Sequence, residues 1–374
     1  MENAVKSLLP NDLADLFHVP PRYFLSHSVG CLPRTTRDAV DRDFFEAWST
    51  GETWSHWMPV IDAFRAGIGS LLNADARSIC PQQNISSGLT KILGSLPIED
   101  GRNVIVFSAQ DFPTIGFVLK QAERLGFKLR MITKPPTDFS AWQEALDETV
   151  AFAHITHVLS NTSDVLPVGD ICKLARHVGA RTIVDVAQSL LVQEIDVRAW
   201  DADFVLGTGV KYLCAGPGAA FMFVNEPVLE QCRPMDVGWF SHELPFEMDI
   251  ARFAYADDAM RFFGGTPSPA PLIQANRAIE IWQEIGLLDA RAQIQSHLNR
   301  LVESVPEHTL RSPANPCRGA AMVLDPPNRA SVSVALSDQK FMFDERKEGI
   351  RLSVHAYTPT DCIAHLADVL SNTL

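Results

Sequence analysis

The sequence predicts an α/β protein built on a large, mostly parallel sheet, with a smaller α+β unit formed from the N- and C-terminal parts. Three observations carry that prediction. Between about residues 80 and 225, short apolar runs (103–108, 128–133, 154–160, 181–185 and 203–207) alternate with helical segments such as 117–125 and 170–177. A second group of strand and helix patterns follows the first instead of continuing its alternation. The 374 residues are 46% hydrophobic and 21% charged, the balance of a globular chain long enough for two domains.

Taken in order, residues 1–70 read as an arm and part of a small domain. Pro10, Pro20, Pro21 and Pro33 break regular structure before an aromatic-rich stretch at 44–64. Residues 71–270 carry the large sheet, to which the apolar run 219–224, bounded by Gly218 and Pro227, adds a strand. Residues 271–374 form the small α+β domain. There 272–302 reads as one long amphipathic helical stretch, 322–336 and 349–353 as strands, and 360–370 as a final helix.

Composition excludes several function classes. Lys plus Arg is 32 and Asp plus Glu 45, a net charge of −13 that repels phosphate backbones and anionic lipid, and no Lys/Arg run exceeds a pair. Nucleic acid and membrane partners are therefore not expected. The stretch 1–12 has no apolar run suited to a signal peptide, and no 18-residue apolar run occurs, so a cytoplasmic protein is expected. Seven cysteines are scattered singly, without metal-ligand or disulfide-scaffold spacing, so reduced thiols and no metal site are expected.

In parallel sheets ligands sit beyond the carboxyl ends of the strands. Three ends stand out: Asp185 in VDVAQS, Lys211 in GTGVKYL, and Asp111 with Phe112 in SAQDFPT. Lys211, between Gly207, Gly209 and the Gly216-Pro217-Gly218 turn, is a Schiff-base candidate, since desolvation frees its amine for attack on an aldehyde. Asp185 can keep a pyridinium nitrogen protonated, which makes pyridoxal 5′-phosphate an electron sink, and Phe112 can stack on the same ring. Taken singly, the plain alternatives are a solvated loop lysine, a helix N-cap and a core aromatic.

The run VDVAQSLLVQEIDVRAWDADFVLGTGVKYLCAGPGAAFMFV (184–224) closely resembles the active-site core of the class V aminotransferase superfamily of fold-type I enzymes, and within it kynureninase and its relatives. YFLSHSVGCLP, AQDFPT, GWFSHELPFEMD, FFGGTP and GIRLSVHAYT resemble further motifs of that branch. The resemblance implies that Lys211 and Asp185 are catalytic, and that Phe112, Ile85, Ser86, Gln188, Trp239 and Thr266 help to hold the cofactor. Thr266 would reach it from the other subunit of a homodimer. It also implies that Arg351 and Tyr357 serve the substrate, with Arg351 gripping an α-carboxylate by two parallel hydrogen bonds. Its bland competitor is an ion pair with Asp344 or Glu348.

The implied function is cleavage at the β-carbon of an amino acid, as a Cβ–Cγ hydrolase or C–S lyase. The alternatives are a class V aminotransferase and a binding protein that has lost catalysis. Some residues depart from the branch: Val210 precedes the lysine where Tyr or His is usual, Gln188 stands where kynureninases have His, and His355-Ala356-Tyr357-Thr358 replaces Pro-Leu-Tyr-Asn. No cysteine lies between Asn328 and Arg351, where a desulfurase needs one, and Cys317 in its Pro-bounded loop reads as structural.

Overall fold

The computed structural model describes residues 10–315 and 317–374, so most of the stretch read for a leader lies outside the described residues. Seven strands form the central sheet, in spatial order Ile79–Gln82, Ala220–Val224, Phe204–Thr208, Arg181–Asp185, Val150–Thr156, Val104–Ser108 and Lys128–Ile132. Only Ala220–Val224 runs against the direction of the other six strands, so the sheet is mostly parallel as expected. Val150–Thr156 and Ala220–Val224 are buried along their whole lengths, which is why neither shows the apolar–polar alternation of a half-exposed strand. Pro113 opens the helix Pro113–Ala122 at a position where a missing N–H is harmless. Asn84 caps Ile85–Leu93 by accepting a hydrogen bond from the Ser87 N–H at 2.9 Å.

A three-stranded antiparallel sheet sits in the C-terminal part, with Gly349–Ser353 between Ala321–Leu324 and Asp344–Arg346. The N-terminal arm joins it: Tyr23 and Leu25 bridge to Met342 and Ser353. Helix Thr53–Leu72 packs on Pro269–Ile285, where the Asn276 side chain donates to the Val60 carbonyl at 2.9 Å. Among the described residues no helix is long and apolar enough to cross a membrane, and no cluster of side chains is suited to a metal.

Three expected elements differ. The strand expected at 154–160 is Val150–Thr156; after it the chain turns, Ser163 N–H bonding back to the Leu159 carbonyl at 2.9 Å. The strand expected at 322–336 is the short Ala321–Leu324 followed by helix Arg329–Asp338. Pro326 and Pro327 end the strand, and the alternating SVSVAL imitates a strand although the helix buries only Val332 and Leu336, one turn apart. The helical stretch at 272–302 is two helices, Pro269–Ile285 and Leu287–Glu303, broken at Gly286, whose φ of 95° suits glycine.

Candidate active site

Because the parallel strands all point one way, the segments after Ser108, Thr156, Asp185 and Thr208 converge on one edge of the sheet. There they enclose a cavity of about 300 Å³ with the start of helix Ile85–Leu93, the N-terminal arm and the small sheet. Lys211, Asp185, Phe112, Ile85, Ser86, Gln188 and Arg351 all line it.

The lysine loop is held from both sides. Gly209 N–H donates to the Ala219 carbonyl at 2.8 Å, and Gly30 N–H donates to the Val210 carbonyl at 2.8 Å. A Cβ at Gly30 would collide with the Lys211 carbonyl oxygen, so the arm approaches this closely only through glycine. Burial pushes the Lys211 amine down to about 8; Asp185 opposes the shift, and the charges of Arg351 and Arg346 add to it. The neutral, nucleophilic amine is the form that gains above that pH. Capture of pyridoxal phosphate by the apoprotein should therefore accelerate between pH 7 and 9 with a midpoint near 8; stopped-flow absorbance showing a midpoint near that of free lysine would contradict the desolvated amine.

Asp185 is buried and accepts the Ala187 N–H at 2.8 Å. Burial raises its pKa, while His154, the Ala187 N–H and Lys211 oppose that rise. His154 lies on the neighbouring strand, two residue pairs before the Thr156–Asp185 pair. It meets Asp111 through Nδ1 at 3.0 Å, and Thr156 Oγ1 donates to the same carboxylate at 2.7 Å. Burial alone would lower the His154 pKa, but Asp111 and Asp185 outweigh it and raise it. Protonation of that imidazole favours the carboxylate form of Asp185.

Arg351 is fully buried and does more than the sequence suggested. Its Nε donates to Asp344 Oδ1 at 2.8 Å, Nη2 pairs with Asp344 Oδ2, and Nη1 donates to the Ser160 carbonyl at 2.8 Å. Among the described residues this leaves one N–H on each terminal nitrogen without a partner. Asp344 also contacts His27 Nε2 at 3.0 Å. Burial alone would raise the Asp344 pKa, but hydrogen bonds from His27 and Arg351 hold it well below the usual carboxylate range. The ion pair that competed with the carboxylate clamp thus exists, and leaves part of the guanidinium for a ligand.

Three candidates do not reach the cavity. Tyr357 is fully buried beneath it, its hydroxyl accepting the Cys31 N–H at 2.9 Å and bonding Ser26 Oγ at 3.0 Å. Trp239 donates its indole N–H to Thr266 Oγ1 at 3.2 Å and packs edge-on against Trp54 at 5.1 Å, so it stands with Thr266, and neither lines the cavity around Lys211. Residues missed by sequence reasoning include His27, Thr156, Thr208 and Arg346. Thr156 and Thr208 are strand-end residues that the same rule could have found. His27 and Arg346 enter from the arm and the small sheet, to which that rule does not apply.

The family model described as Aminotransferase class-V matches residues 49–329. Kynureninase of Deinococcus radiodurans is 30% identical over 275 residues, 71% of this chain and 66% of that protein. Isopenicillin N epimerase of Streptomyces clavuligerus is 25% identical over 370 residues, 92% of each chain. Among solved structures, the cystine C–S lyase C-DES in complex with its reaction product cysteine persulfide superposes with a TM-score of 0.84 at 20% identity, covering 94% of this chain and 97% of that one.

Proposed function

The chain belongs to the class V aminotransferase family, whose enzymes use pyridoxal 5′-phosphate, and from that premise we propose that it cleaves a bond at the β-carbon of an α-amino acid. The observation that carries this reading is the convergence of Lys211, Asp185 and the free end of Arg351 on one cavity. The names of the similar kynureninase and C–S lyase support β-carbon cleavage over transamination. No cysteine lines the cavity among the described residues, which disfavours a persulfide route.

The residues fit the cofactor. Ile85 and Ser86 sit in the first turn of a helix, where N–H groups lack intrahelical partners and attract a phosphate. Asp185 would accept the ring N–H, and Phe112, 40% exposed, offers a face for stacking. When bound, pyridoxal phosphate supplies an electron sink for the bonds at the substrate Cα. Lys211 is then the group that moves the Cα proton, Arg351 fixes the carboxylate, and Asp185 holds the ring proton. Incubation with a panel of amino acids and no amino acceptor tests the reaction: release of a β-substituent fragment with a keto acid or alanine is expected, whereas strict dependence on an acceptor keto acid would replace cleavage by transamination.

The active form in this reading is a homodimer with composite sites. Trp239 and Thr266 lie outside their own chain's cavity, and the nearby Leu244, Phe246, Met248, Ile250 and Phe253 are exposed apolar side chains. Sedimentation should show a species of twice the chain mass, and Thr266→Val should weaken cofactor retention without dissociating it; a fully active monomer would contradict the composite site.

A further inference from the structure

The cavity contains a second arginine that the reaction as described does not use. Asp344 and Arg346 are two residues apart on one strand and so share a face of the small sheet, and Arg351 is the cross-strand partner of Asp344. All three therefore look the same way, and both arginines line the cavity. Their situations differ. Arg351 is neutralised by Asp344. Arg346 has no carboxylate within ion-pair distance among the described residues; its Nη1 donates to Asn161 Oδ1 at 3.0 Å, and its guanidinium lies 5.5 Å from the centroid of the Phe112 ring. Its Nε and Nη2 have no acceptor among the described residues, which leaves a side-on fork open. Asp344 and Glu348 act on Arg346 only from beyond contact distance, and a half-buried cation held near another arginine with no carboxylate in contact gains from the arrival of an anion.

We propose that Arg346 binds an oxyanion on the substrate side chain, so that the preferred substrate is an α-amino acid with a short acidic side chain. This rests on the reading of the cavity as an amino-acid site. The anion belongs to the substrate rather than to the cofactor phosphate because Arg346 enters from the small sheet beside the carboxylate-gripping Arg351, whereas the phosphate cradle lies at the start of helix Ile85–Leu93. Phe112, stacked against the guanidinium, limits its rotation and so favours a defined fork over a mobile charge.

The test uses holoenzyme and two quaternary amino acids that have no Cα proton to lose, 2-methyl-L-aspartate and 2-aminoisobutyrate, with the cofactor absorbance as the readout of binding. Wild type is expected to bind the acidic probe at least tenfold more tightly than the neutral one. Arg346→Met should bring that ratio close to one, and Arg346→Lys should restore part of it. Equal affinities in wild type, or a ratio that survives Arg346→Met, overturns the proposal. So does loss of coenzyme from Arg346→Met on gel filtration with the ratio unchanged, which would assign the arginine to the cofactor. If neither amino acid perturbs the spectrum of wild type, the amino-acid reading of the cavity fails and this proposal with it.

Discussion

Replacing Lys211 by alanine is expected to lower turnover by on the order of 10⁴-fold or more, because in the proposed reaction the residue would be both the point of covalent capture and the group that moves the Cα proton. The loss should not come from unfolding. An amine whose pKa is lowered to about 8 by burial is destabilising when protonated, and below that pH the folded state carries this cost while the unfolded chain does not. Its removal should leave the melting temperature at pH 7 unchanged or slightly raised. Steady-state kinetics with differential scanning calorimetry separates the two effects; a variant with near-normal turnover would remove Lys211 from the chemistry.

The second large effect is at Arg351. Arg351→Ala is expected to raise KM by a factor on the order of 10²–10³ with a smaller loss of kcat, equivalent to deleting a contact of about 3–4 kcal/mol present in ground and transition states alike. Arg351→Lys should recover only part of this, since an ammonium cannot supply two parallel donors. The ion pair adds a second signature. Asp344 has its pKa depressed in the folded state, so its contribution to stability is present above the unfolded carboxylate pKa of about 4 and is lost as pH falls below it. Arg351→Ala should flatten that acid-side loss in thermal melts. The stability effect is modest because Asp344 is one-third exposed. An unchanged KM would mean that Asp344 is the only anion Arg351 serves.

The sheet and the edge that carries the cavity were legible in the sequence because buried parallel strands leave largely apolar runs and their polar ends stand out. Lys211, Asp185 and Phe112 were found that way. The helix Arg329–Asp338 was not, since its alternating valines carry the period of a strand and only Pro326 and Pro327 mark the change. Trp239 and Thr266 were assigned by motif, and motif does not say into whose cavity a side chain points; their mutual hydrogen bond settles only that they stand together. Arg346 and His27 escaped because they reach the cavity through tertiary packing of the arm and the small sheet. No local spacing reports that an arginine lacks a carboxylate partner, whereas the geometry around Arg351 and Asp344 makes the contrast plain.

The proposed function depends on Lys211 carrying the cofactor at the edge where these elements meet. Borohydride reduction of the holoprotein, followed by peptide mass spectrometry, decides this: a single pyridoxyl group on the peptide containing Lys211 is expected, and a label on any other lysine, or none, would contradict it.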